Sequence, residues 1–167
     1  MYTKQQLLSS IRSETAILQH LATQVPAGQL DYRPTAGQRS TLELLRYLTI
    51  AITAPARFAI ERRWDWEQLV AESQRLGLAD MGAALDRQFR GFVRLLKPYD
   101  ERKLLKLTTK DWGGKTVRLN EALIQWVFKP IVAYRMQLFL YLKASGATHL
   151  KSSDCWDAPA QKKGAQA

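Results

Sequence analysis

Apolar residues recur at three- and four-residue steps through most of this chain, the spacing that gathers side chains on one face of a helix. Leu7, Ile11, Leu18, Leu21 and Val25 form the first stripe and predict a helix over residues 2–24. Pro26 cannot continue that ladder and Gly28 suits the exit. After the polar connection "AGQLDYRPTAGQRS", Ser40 and Glu43 have the S-x-x-E spacing of a capping box. A second helix therefore starts near Thr41, with Leu44, Leu45, Leu48 and Ile52 on its apolar side, and Pro55 kinks or ends it. The stretch "ERRWDWEQLVAESQRLG" predicts one or two short helices. Asp80 is expected to cap another, whose stripe is Leu85, Phe89, Phe92, Val93 and Leu96, closed by Lys97-Pro98. "KLLKLTTKDWGGKTVRL" lacks the helical period and carries β-branched residues around "WGGK", which suits a small hairpin or ordered loop. A last helix is expected from Leu119 or Asn120 to Ser145, stopped by Gly146 in a left-handed conformation. The fold class that follows is all-α, a bundle of four main helices with short extra ones.

The last helix is apolar over an unusually wide arc. Leu123, Val127, Tyr134, Leu138 and Tyr141 lie along one side, and Ile124, Phe128, Ile131, Phe139 and Leu142 along the next. A bundle corner needs only one stripe, so the helix is either central or covered by another subunit. A homodimer is the expectation, since two-fold pairs are the commonest oligomers. Residues 1–146 are expected to form the bundle, and 147–167, polar and proline-containing, a mobile tail.

Composition narrows the function. At 167 residues, 46% hydrophobic and 24% charged, the chain suits one soluble domain. No secretory leader is expected from "MYTKQQLLSSIRSE", and the most apolar stretch is interrupted by Gln125, Lys129, Arg135 and Gln137. One cysteine, Cys155, excludes an intrachain disulfide framework and fits a reducing cytoplasm. The net charge of +10 is spread evenly: +3 over residues 1–60, +4 over 61–119 and +3 over 120–167. No segment concentrates it, so neither nucleic acid nor membrane is expected as a partner.

Two segments carry a resemblance. "YRPTAGQRSTLELLRYLTI" (32–50) and "EALIQWVFKPIVAYRMQLFLYLKASG" (121–146) resemble the motifs of the DinB/YfiT-like four-helix bundles. The resemblance implies a divalent-metal site of three histidines on two helices, serving thiol transfer or related chemistry. Matched by position, those histidines fall on Tyr47, Pro130 and Tyr134, while Arg135 and Gln137 match the family's Arg and Gln and Met136 replaces a glycine. Proline offers no side-chain donor and a phenol is a weak neutral ligand, so no metal or other cofactor is expected. What remains is a candidate ligand pocket of Tyr47, Trp126, Tyr134, Arg135 and Gln137, able to take an anionic or aromatic small molecule. The bland alternative is that the tyrosines merely fill the metal's place, and Arg135 more readily suits a structural role. The reading leans away from an enzyme, towards a DinB-like bundle that has lost its metal and binds a small ligand. Its alternatives are a metal-dependent thiol transferase or hydrolase-like enzyme with displaced ligands, or a structural module.

Other candidates are weaker. His20 beside the first stripe reads as a boundary residue, and Glu43 is explained by its cap. His149, Asp154, Cys155 and Asp157 cluster without paired zinc spacing. Trp64, Trp66 and Trp112 could rim a pocket or simply pack a short helix. Trp112-Gly113-Gly114 marks a turn rather than a phosphate loop.

Overall fold

The computed structural model describes residues 3–157. Helix α1 (Lys4–Ala22) opens on a capping box in which the Thr3 hydroxyl accepts from the Gln6 amide and the Gln6 side chain returns to the Thr3 amide. Leu7, Ile11, Leu18 and Leu21 are buried along it, as their spacing predicts. It packs against α5 (Met81–Leu96) and α8 (Lys129–Ala144), and the latter also packs on α2 (Thr41–Leu48). Between these lie α3 (Thr53–Glu61), α4 (Trp66–Ser73), α6 (Glu101–Lys106) and α7 (Leu119–Leu123). The expected hairpin is present as β1 (Thr108–Lys110) and β2 (Thr116–Arg118), antiparallel, with Thr109 opposite Val117. The fold is all-α apart from this hairpin.

Two local expectations are corrected and a third is refined. Helix α2 ends at Leu48, before Pro55, which instead sits in the first turn of α3, where a missing N–H costs no ladder bond. The break is held by buried Gln88: its Oε1 accepts from the Ile52 amide at 2.9 Å, and its Nε2 donates to the Leu48 carbonyl at 2.8 Å. Asp80 precedes α5 without a side-chain cap, because its carboxylate accepts from the Gly77 amide at 2.9 Å. The last helix runs from Leu119 to Ala144 as expected, but its period changes once along the way. A π-helical turn, Ile124–Phe128, separates α7 from α8. Pro130 lacks the N–H that would bond the Trp126 carbonyl, and upstream the Lys129 amide reaches back five residues to Ile124.

Helix α8 is covered on both sides within the chain. Ile131, Leu138, Phe139, Tyr141 and Leu142 are buried, whereas Leu140 remains exposed. Its end is a Schellman motif: Gly146 has φ +119°, and the Ala147 amide donates to the Leu142 carbonyl at 2.9 Å. The chain beyond was expected to be a mobile tail. Residues 147–157 instead fold back, with Ala147, Leu150 and Cys155 buried and a short helix, α9 (Ser152–Trp156), against α1 and α8. Three small apolar side chains in an otherwise polar segment give little period to read. Residues 158–167 of the expected tail lie outside the described residues.

Candidate functional site

Helices α2 and α8 bring Tyr47 and Tyr134 together, their ring centroids 4.6 Å apart. The Ser40–Glu43 capping box fixes the start of α2: the serine hydroxyl accepts from the Glu43 amide at 3.2 Å, and the glutamate accepts from the Ser40 amide at 2.7 Å. The loop before it is folded back by two backbone bonds, Thr41 N–H to the Tyr32 carbonyl and Leu42 N–H to the Leu30 carbonyl, each 2.9 Å. This places the Arg39 guanidinium 4.3 Å above the Tyr47 ring and 6.0 Å from that of Tyr134. Stacking on a phenol face stabilises an exposed guanidinium by about 0.5–1 kcal/mol. Burial, followed by the neighbouring Tyr134 phenol, holds the Tyr47 hydroxyl above its ordinary pKa, against the pull of Arg39. Tyr47 is thus a neutral hydrogen-bonding group at physiological pH.

Beside this pair, a cleft of about 530 Å³ opens between α2 and α4. Arg39, Glu43, Arg46, Tyr47 and Trp66 line it, with Val70 on the α4 side. Arg46 is steered by its Nε, which donates to the Leu76 carbonyl at 2.8 Å. Glu43 is partly neutralised by Arg33 at 3.4 Å, and its pKa is lowered first by the Ser40 amide and then by that arginine. Two guanidinium groups against one engaged carboxylate leave the cleft cationic.

Aromatic rings continue outward from the tyrosine pair. Trp66 meets Tyr47 edge-on at 5.9 Å and stacks on Trp64 at 5.5 Å. Trp64 meets Phe58, which stacks on Trp112 at 4.7 Å, and Trp112 in turn contacts Trp126 at 4.7 Å. Arg62, in the left-handed conformation at the end of α3, caps the Phe58 ring at 4.1 Å. It also donates to Thr109 Oγ1 at 3.2 Å and to the Lys110 carbonyl, tying α3 to the hairpin.

The five residues expected to line one pocket therefore separate. Tyr47 and Tyr134 meet, and Trp126 lies further along the aromatic series. Gln137 is one turn beyond Tyr134 and donates to the Tyr141 hydroxyl at 2.8 Å. Arg135 is buried on another side of α8. Its Nε donates to Glu14 Oε2 at 2.5 Å, and its NH1 to the Cys155 carbonyl and, at 3.1 Å, to the Cys155 sulfur. The guanidinium also lies 4.7 Å from the Trp156 ring. Burial raises the Glu14 pKa, with Arg135 opposing it, and burial likewise raises that of the Cys155 thiol. Arg39 and Phe58 were missed because no periodicity marks them; their placement depends on loop and hairpin contacts.

The weaker candidates are also placed. His20 Nε2 bonds Asp154 Oδ1 at 2.9 Å, and His149 Nε2 bonds Gln24 Oε1 at 2.9 Å. Cys155 turns away from both, towards Arg135 and Met136. Among the described residues no group of three or more His, Cys, Asp or Glu side chains is close enough to share an ion. No helix there is long and apolar enough to cross a membrane.

No family model matches the sequence, and no curated protein matches it either. Its structure is similar to the crystal structure of a DinB-like protein, YjoA, from Bacillus subtilis, with a TM-score of 0.66 at 20% sequence identity. The match covers 87% of this chain and 95% of that one. The chain has the fold of a DinB-like protein.

Proposed function

We propose that this protein is a metal-independent DinB-like bundle that binds a small planar anion, such as an aromatic carboxylate, in the cleft between α2 and α4. The observation that carries this reading is the Arg39 guanidinium over the Tyr47 ring, both lining that cleft, with Tyr134 packed behind Tyr47. Position by position, the resemblance puts the metal ligands of the family on Tyr47, Pro130 and Tyr134. A proline without a donor and a phenol held neutral do not fit a divalent metal, which needs three strong donors facing one point. A neutral phenol and a guanidinium are instead suited to an oxyanion, the first donating one hydrogen bond and the second a fork of them. Trp66 offers a ring face for the ligand's own ring. Nothing in this arrangement activates a nucleophile, so binding rather than turnover is the function assigned.

The test is a titration of the protein with benzoate and related aromatic carboxylates, read by tryptophan fluorescence. Saturable quenching is expected, with Tyr47→Phe and Arg39→Gln each weakening affinity by about 5–10-fold. Unchanged affinity in both variants and in Tyr134→Phe would remove the cleft as the site. Elemental analysis of protein purified without chelator and exposed to nickel and zinc tests the other half: one metal held per chain would overturn the metal-independent reading.

A further inference from the structure

The aromatic series ends in an unfinished stack. Arg62 lies over one face of Phe58 at 4.1 Å, and Trp112 is stacked on Phe58 at 4.7 Å with 16° between the planes. A guanidinium and an indole that close cannot share a face, so they take opposite ones. Trp126 is 4.7 Å from Trp112 and 5.8 Å from Phe58, and Trp64 is 6.0 Å and 5.9 Å from the same two rings. A ring on the outer face of Trp112 would sit about twice the stacking distance from Phe58. Both tryptophans therefore flank the stack. The outer face of Trp112 is open, in keeping with an indole that is 57% exposed. Arg62 holds it in place through its bonds to Thr109 and the Lys110 carbonyl at the base of the hairpin.

A basic groove runs along the adjoining side of α3. Two hollows between α3 and α5, of about 330 and 310 Å³, share Thr53, Arg57, Gly91 and Arg94, so they are lobes of one groove. Arg87 lines the first lobe and Arg63 the second. Arg57 pairs with Asp65, and Arg63 lies 3.5 Å from both Glu61 and Asp65. Glu72, in the first lobe, accepts from Gln68 at 2.9 Å. Arg87 and Arg94 are exposed and, among the described residues, have neither an ion pair nor a hydrogen bond. The groove ends at Arg63, whose neighbour in the chain is Trp64, beside the stack. Charge that is even along the sequence is thus gathered in space, with guanidiniums from residues 57–63 and 87–94 on one groove.

We propose that this groove and the open face of Trp112 bind single-stranded nucleic acid, with phosphates along Arg87, Arg94 and Arg63 and a base on the indole. An unpaired guanidinium forks onto phosphate oxygens, and its charge displaces the counterions of the strand. A base of any identity has the flat face that extends a stack. A duplex hides those faces, so the site is selective for single strands. An acidic peptide brings the charge without a regular succession of rings, and a bilayer surface is too flat to follow a concave groove. The assignment does not rest on the carboxylate reading of the α2–α4 cleft.

The experiment uses the full chain and a fluorescein-labelled oligothymidylate of about 12 nucleotides, followed by anisotropy at several salt concentrations. A dissociation constant of about 10 μM at ~50 mM salt is expected, with log K falling against log salt at a slope of about −2, as three phosphate contacts give. Trp112→Ala should weaken binding about 10-fold and leave that slope unchanged. Arg87→Gln combined with Arg94→Gln, both at exposed positions, should weaken it about 10-fold and make the slope shallower by about 1.4. Diffuse attraction to a basic chain would give neither half of that split. Lys151→Gln, which removes a charge outside the groove, should leave affinity within about 2-fold. Arg39→Gln should do the same, which separates this site from the cleft. The proposal is overturned if Trp112→Ala binds with unaltered affinity, or if the double arginine variant keeps the wild-type slope. It is equally overturned if the same strand annealed to oligoadenylate binds as tightly, or if vesicles of phosphatidylserine and phosphatidylcholine displace the oligonucleotide, which would assign the surface to a membrane.

Discussion

Tyr134 and Arg135 are neighbours in sequence, about 100° apart around one helix, and the structure gives them opposite circumstances. Tyr134 is half-buried, its ring packed on that of Tyr47 and 6.0 Å from the Arg39 guanidinium, and it forms no ion pair. Arg135 is among the most deeply buried side chains and joins α1, α8 and α9 at a single point. The first belongs to a surface that can exchange partners. The second cannot lose one without leaving a charge stranded. Both occupy positions of the motif, Tyr134 in place of a histidine and Arg135 on its arginine, so position in a motif alone did not separate a recognition residue from a clamp.

The sharpest way to break this comparison is to remove the guanidinium. Arg135→Met should destabilise the fold by about 3–5 kcal/mol in urea denaturation, because Glu14 is left buried and unpaired. Glu14→Gln combined with Arg135→Met should recover much of that loss. A double variant as unstable as the single one would mean that packing, not charge, is lost. Next in size is Trp112→Ala, expected to cost about 1–2 kcal/mol by removing ring contacts to Phe58 and Trp126 around a half-exposed indole. The counterpart on the tyrosine side, Tyr134→Phe, should change stability by less than about 0.5 kcal/mol. A loss equal to that of Arg135→Met would erase the distinction between the two sides of α8.

The smallest effect is a dependence on pH. Burial raises the Glu14 pKa above its ordinary value despite Arg135, so the folded state holds that proton more tightly than the unfolded one. Stability should therefore decline as pH rises from the ordinary glutamate value through the raised one. Glu14→Gln should remove that slope, as followed by urea midpoints at several pH values. A wild-type midpoint that instead climbs through this window would show that the pairing with Arg135 outweighs burial.

The main helices were legible because burial repeats with the helical period: the α1 stripe and most of that of α5 lie in the core. The α2 capping box was legible because its chemistry is local to four residues. The site was legible only in part. Tyr47 and Tyr134 could be paired through the motifs, but Arg39 reaches them through backbone bonds of a loop that carries no period. A structural role for Arg135 was the favoured reading, but its partners were hidden for a similar reason. Its partners, Glu14 and Cys155, are 121 and 20 residues away, and Cys155 lies in a segment whose polar composition suggested a tail. The Pro130 turn could be suspected from its missing N–H, but not the five-residue bond that absorbs it.

That turn has a further consequence. A π-turn stores one extra residue, and so sets the helix before it out of phase with the helix after it by about 100°. Asn120 and Ile124 keep time with one frame, Tyr134 and Arg135 with the other. Deleting a single residue between 124 and 128 would leave both halves helical yet turn one against the other, carrying Tyr134 away from Tyr47 and Arg135 away from Glu14. The last helix thus works as two rulers joined at a fixed offset, and the side chains it presents to its neighbours are chosen by that offset as much as by their identity.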